Sequence, residues 1–264
     1  MEEEHTVIEW EKEAKLNNPI LVVGLPGIGN VGKLVAEHLK NEFEGEKLAT
    51  LYSNHFPHKV IMLKNGGIRL ASNRFYFIKS RKKGGNDIVV LTGDDQAVTP
   101  EGQYEVNDKI VSFFKDKLKG KFIYTIGGYT TGEAITGTPR VFGNATSKQV
   151  IGTFKGSTVI FGQSKGMIWG SAGLIIAFAK HKKLDGVCLM GETNFVDLDA
   201  AAAKSVLIAL ADRLGLTIDT KNLDKIIEKT AQTIKEIEQQ MTASFPAQQG
   251  APGSPQEQHP TYIR

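Results

Sequence analysis

The stretch that most constrains this chain runs from Ile20 to Leu39. Ile20-Leu21-Val22-Val23 is a short apolar run closing on Gly24. Three more glycines follow at Gly27, Gly29 and Gly32, and an amphipathic segment begins there. An aliphatic run, a glycine-rich turn and a helical period predict strand, tight turn, helix, the opening unit of a doubly wound fold. Gly27, Gly29 and Gly32 spell G-x-G-x-x-G, in which missing side chains let backbone approach a phosphate at a helix N-terminus. The same residues spell G-x-x-x-x-G-K, ending on Lys33. Neither motif is complete. The dinucleotide form wants an acid closing the next strand, but the run Lys47 to Tyr52 closes on Ser53-Asn54-His55. The phosphate-loop form wants Ser or Thr after the lysine, and Leu34 stands there. Two readings stay open: glycines for close strand-helix packing, or a nucleotide rim using Gly27, Gly29, Asn30 and Lys33.

Further along, apolar runs at Ile88-Leu91, Phe122-Ile126, Thr158-Phe161 and Gly186-Met190 alternate with helical segments. Thr99-Pro100 sets an N-cap and a first-turn proline before a helix whose apolar face carries Val106, Ile110, Phe113, Phe114 and Leu118. Further helices are predicted over about 171–182 and 200–214, the latter stopping at Gly215. Buried-type strands alternating with helices predict a three-layer α/β/α sandwich with a mainly parallel sheet, spanning residues 1–219. Lys64-Asn65-Gly66-Gly67 between two apolar runs predicts a hairpin whose second arm extends through Arg74–Ile78. Such an excursion from the sheet is a place for partner contacts. Residues 134–156 read as a long, partly structured loop. Over 220–243, Leu223, Ile227, Thr230, Ile234, Ile237 and Met241 step by four and three, the seam of a short coiled coil or a face packed on the chain's own domain. Residues 244–264 are rich in Pro, Gly and Gln and read as a mobile tail. It ends in Tyr262, Ile263 and Arg264, a docking peptide for a partner surface.

At 264 residues the chain can bury roughly 70 to 75% of its unfolded surface without metal or disulfide support. One cysteine, Cys188 in an apolar run, excludes a disulfide framework and predicts a reducing cytoplasm. Net charge is +3, from lysines spread among acids. Its one cluster, Lys79–Lys83, precedes two glycines and reads as a solvated turn rather than a nucleic-acid patch. The apolar run from Met167 to Ala179 is broken by glycines and falls short of the roughly twenty residues a membrane span needs. Neither nucleic acid nor membrane is an expected partner.

On a parallel sheet the ligand site lies beyond the carboxyl ends of the strands. The loops landing there offer Asp94, Asp95, Glu133, Lys165 and Glu192 as charges, for a small-molecule pocket or a rim that meets another protein. Gly162-Gln163-Ser164-Lys165-Gly166 matches a nucleophile elbow, but no acid and then histidine follow it in order. His55 and His58 have metal-like spacing without a third ligand nearby, so neither metal nor cofactor is expected.

Gly24–Gly32, Leu51–Pro57, Leu91–Gln96, Gly127-Gly128-Tyr129, Gly162–Met167 and Gly191-Glu192-Thr193, in that order, resemble the proteasome-assembly-chaperone family in its archaeal branch. The resemblance covers about residues 18–215. It implies a core similar to nucleoside phosphorylases, no established catalysis, homo-oligomers, and in some members C-terminal arms that bind the α-ring of the 20S proteasome. Those arms end in hydrophobic-tyrosine-any residue. Here Tyr262 stands third from last and Ile263 holds the tyrosine's place. The expected function is therefore a non-enzymatic oligomeric chaperone or adaptor that binds the 20S α-ring partly through its tail. The alternative is a nucleotide- or nucleoside-binding enzyme using the glycine-rich loops.

Overall fold

The computed structural model describes residues 5–163, 166–194 and 197–244. In chain order the elements are β1 (Thr6–Trp10), β2 (Ile20–Gly24), α1 (Val31–Glu42), β3 (Glu46–Ser53), β4 (Val60–Met62), β5 (Ile68–Leu70), β6 (Asn73–Ile78) and β7 (Ile88–Gly93). Then follow α2 (Pro100–Ser112), β8 (Phe122–Tyr129), β9 (Val141–Ala145), α3 (Lys148–Gly152), β10 (Val159–Phe161), α4 (Ser171–His181), β11 (Asp185–Glu192), α5 (Ala200–Leu214) and α6 (Lys221–Ser244).

Nine strands form one sheet in the order β1-β3-β6-β7-β2-β8-β11-β9-β10. The four central strands β7, β2, β8 and β11 are mutually parallel. They read as continuous apolar runs because both their faces are covered. Leu21, Val23, Val89, Leu91, Ile123 and Cys188 point to one side with α2 and α4, where Val106, Ile110, Phe114, Ile175 and Ala179 complete a core. Val22, Val90, Tyr124, Ile126, Val187 and Leu189 point to the other, against Val35, Ala36, Leu39, Val206, Leu207 and Leu210 of α1 and α5. Two cores separated by one sheet make the three layers.

The flanks differ from expectation. β6 joins the main sheet, antiparallel to β3 and β7, instead of extending the hairpin arm. Its pattern of buried Asn73, Phe75 and Phe77 alternating with half-covered residues suits a sheet position. Residues 141–145, expected as loop, form β9 between β11 and β10. The sheet is therefore mixed, parallel at its centre and mostly antiparallel towards its edges. The hairpin itself stands as a separate two-stranded sheet, β4 with β5.

Helix ends follow local chemistry. The Thr99 side chain accepts from the Gly102 N–H, and Asp199 caps α5 by accepting from the Ala202 N–H. Gly215 closes α5 in the left-handed region at φ 63°, where a residue without Cβ escapes the steric cost. The chain divides into two units, ending and starting at Ile227 and Glu228. Within the first, Leu223 is buried and Ile227 half-buried against the α1–α5 core, and Lys204 pairs with Asp224 at 2.6 Å. Ile234, Ile237 and Met241 lie outside the residues whose side chains are described. Among the described residues, no helix is long and apolar enough to cross a membrane.

Candidate functional site

The carboxyl ends of β2 and β8 open into a cavity of about 600 Å³. Gly27 and Ile28 line one wall, Gly127, Gly128 and Tyr129 another, and the segment from Met167 to Ala172 a third. Met167 and Trp169 are 77% and 82% exposed, unusual for residues of their size, and they stand at its mouth. Gln96 braces the walls. Its Nε2 donates to the Pro26 carbonyl at 2.6 Å, and its Oε1 accepts from the Ser171 N–H at 2.8 Å. One amide thus ties the turn after β2 to the start of α4.

The glycines of the turn divide by role. A Cβ on Gly24 would lie 2.6 Å from Ala36 Cβ, and one on Gly32 would lie 2.5 Å from the Ile126 carbonyl oxygen. Both permit α1 to pack against the sheet. Gly29 takes φ 63°, and Asn30 is also left-handed at φ 49°. Asp197 and Asp199, just before α5, reach them: Asn30 Nδ2 donates to the Asp197 carbonyl at 2.8 Å, and the Asp199 N–H donates to the Gly29 carbonyl at 2.8 Å. Gly27 alone of the motif glycines would accept a Cβ without a clash, its nearest neighbour being Gln96 Nε2 at 3.7 Å. Lys33 faces elsewhere, into a smaller cavity of about 260 Å³ with Asn30, Glu37 and Leu198. Of the expected rim residues that the structure describes, Gly27 is the one that lines the strand-end cavity.

The expected rim acids are consumed by arginines and a lysine. Asp94, at the end of β7, accepts from Arg69 Nη2 at 2.9 Å, from Arg74 Nη2 at 3.2 Å and from the Ser72 N–H at 3.0 Å. Burial pushes its carboxyl up, but these donors outweigh burial and hold it well below the usual carboxylate range. Asp95 pairs with Lys59 at 2.8 Å. Glu192 is 3% exposed and accepts from Arg140 Nε at 2.8 Å and from the Arg140 N–H at 3.2 Å. The Arg140 guanidinium, aided by the Thr131 hydroxyl, holds it below its ordinary value against burial. Glu133 stands 3.6 Å from the same guanidinium. Lys165 and Ser164 lie outside the described residues, as do Tyr262, Ile263 and Arg264. His55 is engaged by Glu105 at 3.0 Å. The Cys188 thiol is pushed up to about 11 by burial, an inert core group rather than a nucleophile.

Sequence reasoning missed Gln96 as a brace, Trp169 as a gatepost, and Arg69, Arg74 and Arg140 as the partners of the acids. The signal available for the arginines was weak, because each pairs across a separation in sequence that no local pattern marks.

A model of the PAC2 family matches residues 21–238. The chain belongs to the PAC2 family. Among its relatives, this PAC2 chain is 36% identical over 248 residues to an uncharacterized protein of Methanocaldococcus jannaschii, covering 94% of this chain and 93% of the other. It is similar to the crystal structure of Pyrococcus furiosus PbaB, an archaeal proteasome activator. The TM-score is 0.84 at 37% identity, covering 89% of this chain and 99% of PbaB. It is also similar to Pyrococcus furiosus PbaA, an archaeal homolog of proteasome-assembly chaperone, with a TM-score of 0.70 at 25% identity, covering 90% and 99%. PAC2 membership and these neighbours agree with the α/β fold and with the family resemblance carried by the six motifs.

Proposed function

We propose that this PAC2 chain is a non-enzymatic chaperone or adaptor that works as a homo-oligomer on the 20S proteasome, engaging its α-ring partly through the C-terminal tail. The observation that carries this reading is the similarity to PbaB, a proteasome activator, at 37% identity over nearly all of PbaB. The site geometry supports it. An acid or base for catalysis needs a free, tunable group in reach of substrate. Here Asp94, Asp95 and Glu192 are each neutralised by a basic partner, and exposed Trp169 and Met167 offer contact area instead.

The hairpin supports self-association. Val60 pairs with Leu70 and Met62 with Ile68, so four aliphatic side chains share one face, each more than half exposed. On the opposite face Arg69 is bonded to Asp94, which anchors the hairpin to the core. A fixed apolar face in water is a contact surface.

The test is a pull-down with 20S particles, comparing the intact chain with one ending at Ser244. Retention of the intact chain and loss of the shortened one is the expected result. Equal or absent binding in both removes the tail mechanism. A ligand-sized cavity sustains a second reading, a nucleotide- or nucleoside-binding enzyme. That reading requires a thermal shift with nucleotide, since ligand at a hundred times its dissociation constant adds roughly 2.7 kcal/mol of stability.

A further inference from the structure

The parallel strands have a second opening at the end opposite the glycine-rich turn. There the first residues of β2, β7 and β8, the turn after β6 and the segment following α5 enclose about 670 Å³. Its floor is apolar and aromatic: Ile20, Phe43, Ile78, Phe122 and Tyr124, with the Phe122 and Tyr124 rings 4.8 Å apart. Its charged lining is of one sign. Lys79, Arg81, Lys82, Lys121 and Arg213 face it, and no carboxylate does among the described residues. Lys79 is spoken for by buried Asp87 at 2.7 Å, and Lys82 donates to the Gly215 carbonyl at 3.1 Å. Arg81 and Lys121 are exposed at the rim.

Arg213 is the informative member. Its guanidinium carbon lies over the Phe154 ring, 4.6 Å from the centroid. Its Nη2 reaches the Thr153 hydroxyl at 3.4 Å, its other polar neighbour is the Tyr124 hydroxyl, and its Nε–H is buried without an acceptor. Among the described residues no carboxylate forms an ion pair with this cation or lines the cavity beside it. A guanidinium fork against a low-dielectric wall attracts planar oxyanions, and cations of one sign around a cavity concentrate them. Volume and composition match a pocket for a small ligand with a flat body.

We propose that this basin binds a small organic anion, an aromatic phosphate or carboxylate, whose ring lies on Phe43, Phe122 and Tyr124 and whose charge meets Arg213, with Lys121 and Arg81 at the rim. The site is independent of the strand-end cavity and of the tail. Titration of the full chain with adenosine monophosphate and with naphthalene-2-carboxylate, followed by amide chemical shifts, tests it. The expected result is saturable shifts at Thr153, Gly215 and Thr217 for at least one of the two anions. Adenosine and inorganic phosphate, each lacking half of the recognition, should bind about tenfold more weakly or worse. Arg213→Gln should weaken binding about tenfold, and Lys121→Glu, which reverses a rim charge without touching packing, should weaken it several-fold. No shift at these amides with either anion at about 5 mM overturns the proposal. So do shifts confined to Gly127 and Trp169, or unchanged affinity in Lys121→Glu and in a folded Arg213→Gln.

Discussion

Replacing Gly32 by alanine tests what the glycine-rich turn is for. The added Cβ would lie 2.5 Å from the Ile126 carbonyl oxygen and 3.2 Å from that of Leu25, whereas ordinary contact begins at 3.4 Å. Both obstacles are backbone, so no rotamer change relieves them, and α1 must move away from β8. Overpacking of this kind costs about 1–3 kcal/mol or more. Alanine returns up to about 1 kcal/mol of helix propensity at a position inside α1, so with a backbone clash this close costing about 3 kcal/mol the net loss is about 2 kcal/mol. At this chain length that lowers the melting temperature by roughly 4–8 °C. Gly27→Ala is the control: its Cβ would meet Gln96 Nε2 at 3.7 Å and its φ of −173° suits any residue, so stability should stay within about 0.5 kcal/mol. Urea unfolding of both variants, without added ligand, separates the two. Equal stability of Gly32→Ala and the parent chain would refute the packing account and return the motif to phosphate approach.

Asp94→Asn keeps the shape of the side chain and removes its charge, leaving Arg69 and Arg74 facing a neutral amide. Breaking a buried pair costs about 3–5 kcal/mol, and partial exposure of Arg69 reduces this to about 2–4 kcal/mol. The folded carboxyl is held below its unfolded value, so its contribution is complete above the ordinary aspartate range and disappears as pH falls through the folded value. Thermal melts from pH 7 downward should therefore show a smaller acid loss in Asp94→Asn than in the parent, and parallel curves would contradict it. For the hairpin, Met62→Lys with Ile68→Lys should lower the particle mass seen by sedimentation while leaving the melting temperature of the protomer unchanged, because both residues are more than half exposed. An unaltered mass would exclude this face as an interface.

Much of the core was legible because its signals are local. Thr99-Pro100 starts α2, Gly215 ends α5, and Asn65-Gly66 turns the hairpin, each through bonds or dihedrals confined to a few neighbouring residues. The runs at β2, β7, β8 and β11 announce strands covered on both faces. β9 was missed because Val141-Phe142-Gly143-Asn144-Ala145 is short and contains Gly143 and Asn144, both poor strand formers, and becomes a strand through pairing with β10 and β11 on either side. β6 was misplaced because an extended segment does not say which strand it will pair with.

The site followed the same division. Composition and spacing pointed to acids and glycines at the strand ends; Asp94 directly follows β7 and Glu192 closes β11. That Asp94 would meet Arg69 and Arg74, Glu192 would meet Arg140, and Gly32 would touch Ile126 depended on closing the sheet. Strand and helix arise from contacts a few residues apart and so are written along the chain. Charge neutralisation and steric fit depend on separation in space, which is settled when the layers pack.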